Sequence, residues 1–171
     1  VALALAVEAR DPYSRGHAER VSQLAQKIGE LMGMTETNIA ALRDAALLHD
    51  IGKKGIKYGL LFKSGKLSEE ELATIRNHPF VGEKLVSVLK SYSHLRDPIR
   101  HHHEYLDGSG YPDGLKEKNI SLLTKIIAAA NMFDVLQMQR PYRTRLNDTE
   151  IKKEMETLVA QNKLDKKTVE C

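Results

Sequence analysis

The sequence predicts an all-α protein, and three observations support this fold class. Apolar residues recur at the spacing of a helix face through most of the chain. Capping residues and glycines mark the ends of these periodic segments. No segment has the pattern of a convincing strand, and there are no internal repeats or long linkers.

Length and composition favour a single domain of residues 1–171, with 42% hydrophobic residues to build its core. The only cysteine is Cys171, which excludes a disulfide framework and favours a cytoplasmic location. A net charge of +3 gives no indication of a nucleic-acid polymer as partner. No apolar run approaches the roughly 18–20 residues of a membrane span, so we expect no membrane contact by this domain.

The chain begins without Met, in an apolar stretch with a helical pattern. We therefore interpret it as the C-terminal output domain of a longer protein with an upstream regulatory domain. A helix ending at residues 1–9 is compatible with a homodimer formed through a coiled coil.

Two histidines lie on the inward faces of the first two predicted helices. The first helix falls within residues 16–33, and His17 extends its apolar face. The second begins at Thr35 or Thr37, and its apolar stripe ends at His49. The glycines that follow His49 predict a loop: Gly52, Gly55 and Gly59.

Shorter helices are predicted in the middle of the chain. A capping-box signature at Ser68 predicts a helix to about Arg76. Pro79 suits the first turn of a helix that runs to about Leu89, and Pro98 opens another. The residues that share a face of the helix opened by Pro98 are Ile99, His102 and His103.

A tight, glycine-rich loop at residues 107–114 precedes the last helices. Ser121 is a candidate cap for a long helix, about residues 122–138. The final helix begins at Asn147 or Asp148.

The seven histidines of the chain suggest a metal site. Imidazole with carboxylate is a ligand set for a divalent metal that keeps positions open for water or substrate. A lone histidine on an apolar face is more often a hydrogen-bonded core residue, but several buried together need partners, and a shared metal satisfies them at once. The histidines with this inward placement are His17, His49, His78 and His102 or His103. His94 is predicted at the surface, and His101 lies off the shared face.

Several short motifs follow one another along the chain, namely Gly16-His17, His49-Asp50 with Lys53, His78-Pro79, His102-His103-Glu104, Gly110-Tyr111-Pro112 and Arg140-Pro141-Tyr142-Arg143. This ordered set resembles the HD-GYP domain, the cyclic-di-GMP phosphodiesterase branch of the HD superfamily of metal-dependent phosphohydrolases. The resemblance covers essentially the whole chain. A lone His-Asp pair is weak evidence, but the ordered set, with the Gly-Tyr-Pro signature after the paired histidines, is highly specific.

The resemblance implies an HD-type bundle of about seven helices around a central metal site. It implies two transition-metal ions, and the histidine-rich ligand set favours Fe or Mn over Mg. The positions that match family metal ligands are His17, His49, Asp50, His78, His102, His103 and Asn131.

The implied activity is hydrolysis of cyclic-di-GMP to the linear dinucleotide, with GMP after a second cut. Lys53 matches a lysine at the substrate phosphate or the metal-bridging group, and we regard Lys53 and Asp50 as the catalytic candidates. The positions that match the substrate pocket are Gly110, Tyr111 and Pro112 in the loop, with Arg140 and Arg143 as phosphate contacts.

The chain departs from the family pattern at two positions. Asn131 stands where members usually have an aspartate ligand, so a weaker metal site is expected. Asp134 is a candidate to compensate, although the family normally has a separate, supporting aspartate there. Tyr13 stands where three-metal members have a carboxylate, which favours a two-metal site.

These departures leave three functional hypotheses. The first is an active cyclic-di-GMP phosphodiesterase. The alternative is a degenerate signalling or binding module whose catalysis is impaired by Asn131. The third, a hydrolase of a different nucleotide, is disfavoured by the Gly-Tyr-Pro loop.

Overall fold

The computed structural model of the chain describes residues 15–61, 63, 65–138 and 146–171. Helices dominate this part of the chain, which contains no strand, so the all-α prediction is confirmed. Its α-helices are α1 His17–Leu31, α2 Glu36–Leu48, α3 Tyr58–Leu61, α4 Glu69–Arg76, α5 His78–Ser87, α6 Arg96–His101, α7 Leu122–Gln137, α8 Asp148–Ala160 and α9 Lys166–Val169. None of the helices in the described ranges is long and apolar enough to cross a membrane.

Local sequence accounts for several helix starts. Ser68 and Glu71 form the predicted capping box of α4, and Asn147 forms a second one with Glu150 at α8. Thr35, one of the two candidates for α2, accepts a hydrogen bond from the Asn38 amide. Each of these caps satisfies a backbone N–H that would otherwise lack a partner at the helix start.

The structure differs from the prediction around Pro98 and after His49. Helix α6 begins at Arg96, before Pro98, and ends at His101, so His102 and His103 lie in the turn that follows it. The predicted glycine loop contains a 3₁₀ turn, Ile51–Gly55, and the short helix α3. A further helix, α9, follows α8 because Asp165 caps it.

Helix α7 separates two apolar clusters. On one side Ile126, Ile127 and Ala130 pack with residues of α1 and α2, such as Val21 and Leu42. On the other side Ala128, Ala129 and Leu136 of α7 pack with α8 through Ile151, Met155 and Leu158. Burial on both sides fixes α7 firmly between its neighbours.

The 3₁₀ turn Ile51–Gly55 packs tightly against α5. A Cβ added at Gly52 would lie 1.9 Å from the carbonyl oxygen of His78 and 2.6 Å from the amide nitrogen of Gly82. Only glycine allows this approach of backbone to backbone. The contact holds Asp50, just before the turn, beside His78 at the start of α5.

Candidate metal centre

Two groups of potential metal ligands meet at Asp50. One group contains Asp50, His78, His102 and His103, and the other contains His17, His49 and Asp50. Within each group the ligand atoms lie within 4.8 Å of one another. The fold therefore brings together six of the seven predicted ligand positions, from α1, the end of α2, the start of α5 and the turn after α6.

The two carboxylate oxygens of Asp50 face different histidines. Oδ1 lies 3.3 Å from Nε2 of His78 and 3.9 Å from Nε2 of His102. Oδ2 lies 3.5 Å from Nε2 of His49 and 3.8 Å from Nε2 of His17. This arrangement suits a carboxylate that bridges two cations.

Three of the histidines are held by the same local hydrogen bond. Nδ1 donates to the carbonyl three residues earlier, from His49 to Ala46 at 2.6 Å, from His78 to Ile75 at 2.7 Å and from His102 to Ile99 at 2.8 Å. Since a carbonyl only accepts, this bond places the proton on Nδ1 and leaves the Nε2 lone pair for a ligand.

His17 is oriented by a longer-range contact instead. Its Nδ1 donates to Oδ2 of Asp134 on α7, at 2.7 Å. Arg20 binds both oxygens of the same carboxylate, through Nε to Oδ1 at 2.6 Å and through a terminal nitrogen to Oδ2 at 3.0 Å. Asp134 therefore supports His17, as a second carboxylate commonly supports a metal-ligating imidazole.

Asn131 is buried on α7, three residues before Asp134 and so on the same side of the helix. Both oxygens of Asp134 are engaged by His17 and Arg20. The structure thus gives Asp134 the supporting position, and its compensation for Asn131 as a ligand is not supported.

Two polar atoms of this centre lack protein partners, as a cation site requires. In the described ranges, Nε2 of His49 and Oδ1 of Asp50 are buried without a hydrogen bond. Buried polar atoms normally have a partner, and a bound cation would satisfy both. The residues present therefore fit a metal.

Burial also sets the protonation states that a metal needs. It lowers the pKa of His49 from 6.5 to about 4 and holds the pKa of His102 and His103 well below 6.5. Burial opposes ionisation of Asp50, but Lys53 and His49 outweigh it and hold the pKa of Asp50 well below 3.8. At neutral pH these imidazoles are neutral and the carboxyl is ionised, as metal ligation requires.

Lys53 reaches the edge of this centre. Its Nζ lies 2.6 Å from Oδ2 of Asp50, and its side chain is 30% exposed. A cation in this position can meet an anionic ligand that approaches from solvent.

The Gly-Tyr-Pro loop covers one side of the centre. The ring of Tyr111 stacks on His103, with centroids 4.7 Å apart and an interplanar angle of 24°. Burial raises the pKa of Tyr111, so its phenol stays protonated at neutral pH. Gly110 is required by space, because an added Cβ would lie 2.4 Å from Cα of Glu104 and from the amide nitrogen of Tyr105.

Glu104 belongs to the His102-His103-Glu104 motif, but its structural role was not predicted. Its buried carboxylate accepts hydrogen bonds from the backbone amides of Asp113, Gly114 and Leu115. It thereby ties the Gly-Tyr-Pro loop to the paired histidines. The only sequence signal was its place directly after His103.

The remaining histidines lie where the sequence placed them. His94 is exposed, and His101 lies outside both ligand groups, bound to Asp97 and Asp113. Four predictions fall outside the described residues, namely the helix ending at residues 1–9 and the roles of Tyr13, Arg140 and Arg143.

Comparison with known proteins decides the family. Residues 2–168 match a family model described as HD domain. The chain belongs to the HD domain family. This HD domain also resembles the solved structure of a HDG"Y"P protein from Bdellovibrio bacteriovorus, with a TM-score of 0.73 and 26% identity over 90% of this chain and 49% of that one. The resemblance to the HD-GYP branch is thus confirmed.

Curated relatives of the HD domain are named as cyclic dinucleotide phosphodiesterases. The chain is 41% identical to 3'3'-cGAMP-specific phosphodiesterase 3 of Vibrio cholerae, over 82% of this chain and 30% of the relative. It is 40% identical to the cyclic di-GMP phosphodiesterase response regulator RpfG of Xanthomonas campestris, over 82% of this chain and 38% of the relative. The chain therefore spans about a third of the length of these relatives.

Proposed function

We propose that this HD domain is a metal-dependent phosphodiesterase that hydrolyses cyclic-di-GMP to the linear dinucleotide, with GMP as the product of a second cut. The proposal rests on one observation: the two carboxylate oxygens of Asp50 face two separate groups of histidines. Relatives named for cyclic di-GMP and 3'3'-cGAMP support the substrate class.

The ligand groups would hold two transition-metal ions, and imidazole ligands favour Fe or Mn over Mg. His17 and His49 would share one position, His78, His102 and His103 the other, with Asp50 common to both. When bound, such ions polarise a phosphoryl oxygen and lower the pKa of water to near neutrality.

The protein's own contribution is to position charge and to shape the site. Asp50 holds the Lys53 ammonium at 2.6 Å, so this cation would offset negative charge on the phosphate as the ester bond breaks. Tyr111, stacked on His103, would form a wall that limits where the phosphate lies. Arg140 and Arg143 remain our candidates for further phosphate contacts.

A second candidate function, a binding module without turnover, is favoured by Asn131. Asp134 supports His17 and so does not supply the missing carboxylate. A centre with one negative charge fewer binds divalent cations more weakly. Such a protein would have the same fold and the same Gly-Tyr-Pro loop but would not hydrolyse the dinucleotide.

Elemental analysis of protein purified with minimal metal exchange, paired with product analysis on the same sample, tests the proposal. We expect two metal ions per chain and linear dinucleotide from cyclic-di-GMP. His49→Ala should lose metal and activity, whereas the matched control His94→Ala, at an exposed histidine outside the centre, should keep both. A metal-free, inactive protein that binds the dinucleotide would establish the binding module, and hydrolysis of other nucleotides alone would establish a different substrate.

A further inference from the structure

A groove lies beside the candidate metal centre, between α4 and the Gly-Tyr-Pro loop. Glu69, Arg76 and Asn77 line it from the α4 side, and Tyr111 and Pro112 line it from the loop. Its volume of about 310 Å³ is at the lower end of the range for small-molecule pockets. This is room for one part of a dinucleotide rather than for the whole molecule.

Tyr111 joins this groove to the metal centre. Its ring lines the groove and also stacks on His103, 4.7 Å between centroids. A ligand whose phosphate lies at the centre can therefore extend another part past Tyr111 into the groove. An aromatic ring is a good surface for a nucleobase, because every base has a π-face to stack on it.

The polar side chains of the groove come from one face of α4. Glu69 and Arg76 are seven residues apart, which is two helical turns, so both project to the same side. The residues between them on this face, Leu72 and Ala73, are apolar and also line the groove. The wall thus has an anionic end, an apolar middle and a cationic end.

The charged side chains of this groove have no ion-pair partner in the described part of the chain, although Arg76 contacts the Tyr111 ring. Within the described ranges neither Glu69 nor Arg76 forms an ion pair, in contrast to Glu71, which binds Lys63. The guanidinium of Arg76 lies 5.5 Å from the centroid of the Tyr111 ring. Asn77 is the residue before α5, yet its side chain makes no capping hydrogen bond there.

We propose that this groove is a guanine subsite that binds one base of the cyclic dinucleotide, an inference that rests on the function proposed above. Arg76 binds the acceptors O6 and N7, since arginine contacts this guanine edge bidentately. Glu69 accepts from the donors N1–H and N2–H₂ on the other edge. Adenine presents a donor at N6, which would face the donors of Arg76, and an acceptor at N1, which would face the acceptors of Glu69.

Binding of GMP and AMP to the metal-loaded protein, measured by calorimetry, tests this subsite. Neither probe contains the diester, so hydrolysis does not interfere. We expect GMP to bind about tenfold more tightly than AMP. Glu69→Gln should remove most of this preference, and Arg76→Lys, which keeps the charge but loses the bidentate fork, should also weaken GMP binding.

The matched control is Glu70→Gln. Glu70 lies in the same first turn of α4 and has the same favourable interaction with the helix dipole, but it does not line the groove. It should leave the preference for GMP unchanged. Equal binding of GMP and AMP by the natural protein, or equal effects of the two glutamine variants, would overturn the subsite.

A hydrolysis assay on the same samples separates this inference from the proposed function. A protein that prefers GMP but cleaves no cyclic dinucleotide contradicts only the proposed reaction. A protein that cleaves cyclic-di-GMP and cyclic di-AMP equally, with no effect of Glu69→Gln, contradicts only the guanine subsite.

Discussion

Hydrogen bonds within single helical turns prepare the histidines of the centre. His49, His78 and His102 each donate Nδ1 to a carbonyl three residues earlier, so each directs Nε2 toward Asp50. This preset orientation removes much of the reorganisation that metal binding would otherwise require. His17 lacks such a local carbonyl bond and depends on Asp134 of α7.

Asp134→Asn should therefore lower metal affinity although Asp134 belongs to neither ligand group. The amide weakens the acceptor for His17 and removes the charge that Arg20 binds. Loss of such a supporting partner costs about 10–100-fold in metal affinity. Titration of the metal-free protein with Mn²⁺ measures the change. Unaltered affinity would show that His17 is not oriented by Asp134.

Asn131→Asp should have the opposite effect. An aspartate restores the carboxylate usual at this position of the family, and its charge should raise affinity by about tenfold or more. Metal content after dialysis and the rate of cyclic-di-GMP hydrolysis should both increase. Asn131→Leu, of similar size but without an oxygen, is the control and should lower both. No gain in either quantity for Asn131→Asp would contradict our interpretation of this departure.

At this scale the sequence indicated the histidines and Asp50 as candidate ligands, and the family resemblance indicated a supporting role for Asp134 without naming His17 as its partner. Spacing and motif order can indicate a metal ligand, because a ligand is recognised by its own residue type and position. The supporting bond of His17 joins residues 117 positions apart, and no local pattern marks such a pair. The role of Glu104 was not predicted for the same reason, since its partners are the amides of a loop that folds back on it.

Among the elements, the 3₁₀ turn after α2 and helix α5 determine whether the two ligand groups can meet. Gly52 touches the backbone of α5, and this contact brings Asp50 beside His78. The turn and α5 belong to different stretches of chain, so the distance between them is set by packing alone. A side chain at this point would push the two groups apart.

Gly52→Ala should consequently damage both the fold and the site. The added Cβ meets backbone atoms at 1.9 and 2.6 Å, which cannot move as a flexible side chain would. We expect the free energy of unfolding to fall by about 1–3 kcal/mol and metal binding to weaken. Urea denaturation and metal titration measure these effects.

Gly55→Ala is the matched control for this change. It lies in the same turn, but its added Cβ would meet only the Val81 side chain, at 3.8 Å, an ordinary contact. It should be nearly neutral. Equal stability of the two variants would show that the close approach at Gly52 does not constrain the fold.

Helix positions were predictable where the signals are local, and less so where distant contacts decide. The capping boxes at Ser68 and Asn147 are complete within four residues, and both helices begin where predicted. Helix α6 ends earlier than expected, because the chain turns after His101 and the carbonyl of His103 binds the amide of Tyr111. That turn depends on a contact with the Gly-Tyr-Pro loop, and the spacing of apolar residues carries no information about such a contact.

For the whole molecule, the buried histidines link stability to pH. The free energy of unfolding of the metal-free protein should fall as pH is lowered from about 6.5 to about 4. In this window the unfolded chain binds protons at His49, His102 and His103 while the folded chain does not, because burial lowers their pKa. His49 alone should account for about 3 kcal/mol.

Two other groups with shifted pKa values also contribute to the pH dependence of stability. Asp50 acts in the same direction but at lower pH, whereas His101 acts in the opposite direction. The pKa of Asp50 is held well below 3.8, so its contribution is lost only as pH falls below that value. His101 opposes the trend, because bonds to Asp97 and Asp113 outweigh burial and raise its pKa. Its stabilisation is present at low pH and is lost as pH rises through its raised pKa.

Urea denaturation at pH 5 and pH 7 in the presence of a chelator measures this dependence. The protein should be less stable at pH 5, and His101→Gln should steepen the fall because it removes the opposing group. Equal or greater stability at pH 5 would contradict the assignment of neutral, buried imidazoles.

The carboxylate shared by the two histidine groups has one more consequence. Asp50 belongs to both groups. An ion bound to one group would therefore change the orientation and the charge density of the carboxylate that the other group uses. Occupancy of the two positions is then thermodynamically coupled, and the factor by which the first ion changes affinity for the second is the same in either order. Titration curves for metal uptake should depart from those of two independent sites, and the departure should disappear when Asp50 is replaced.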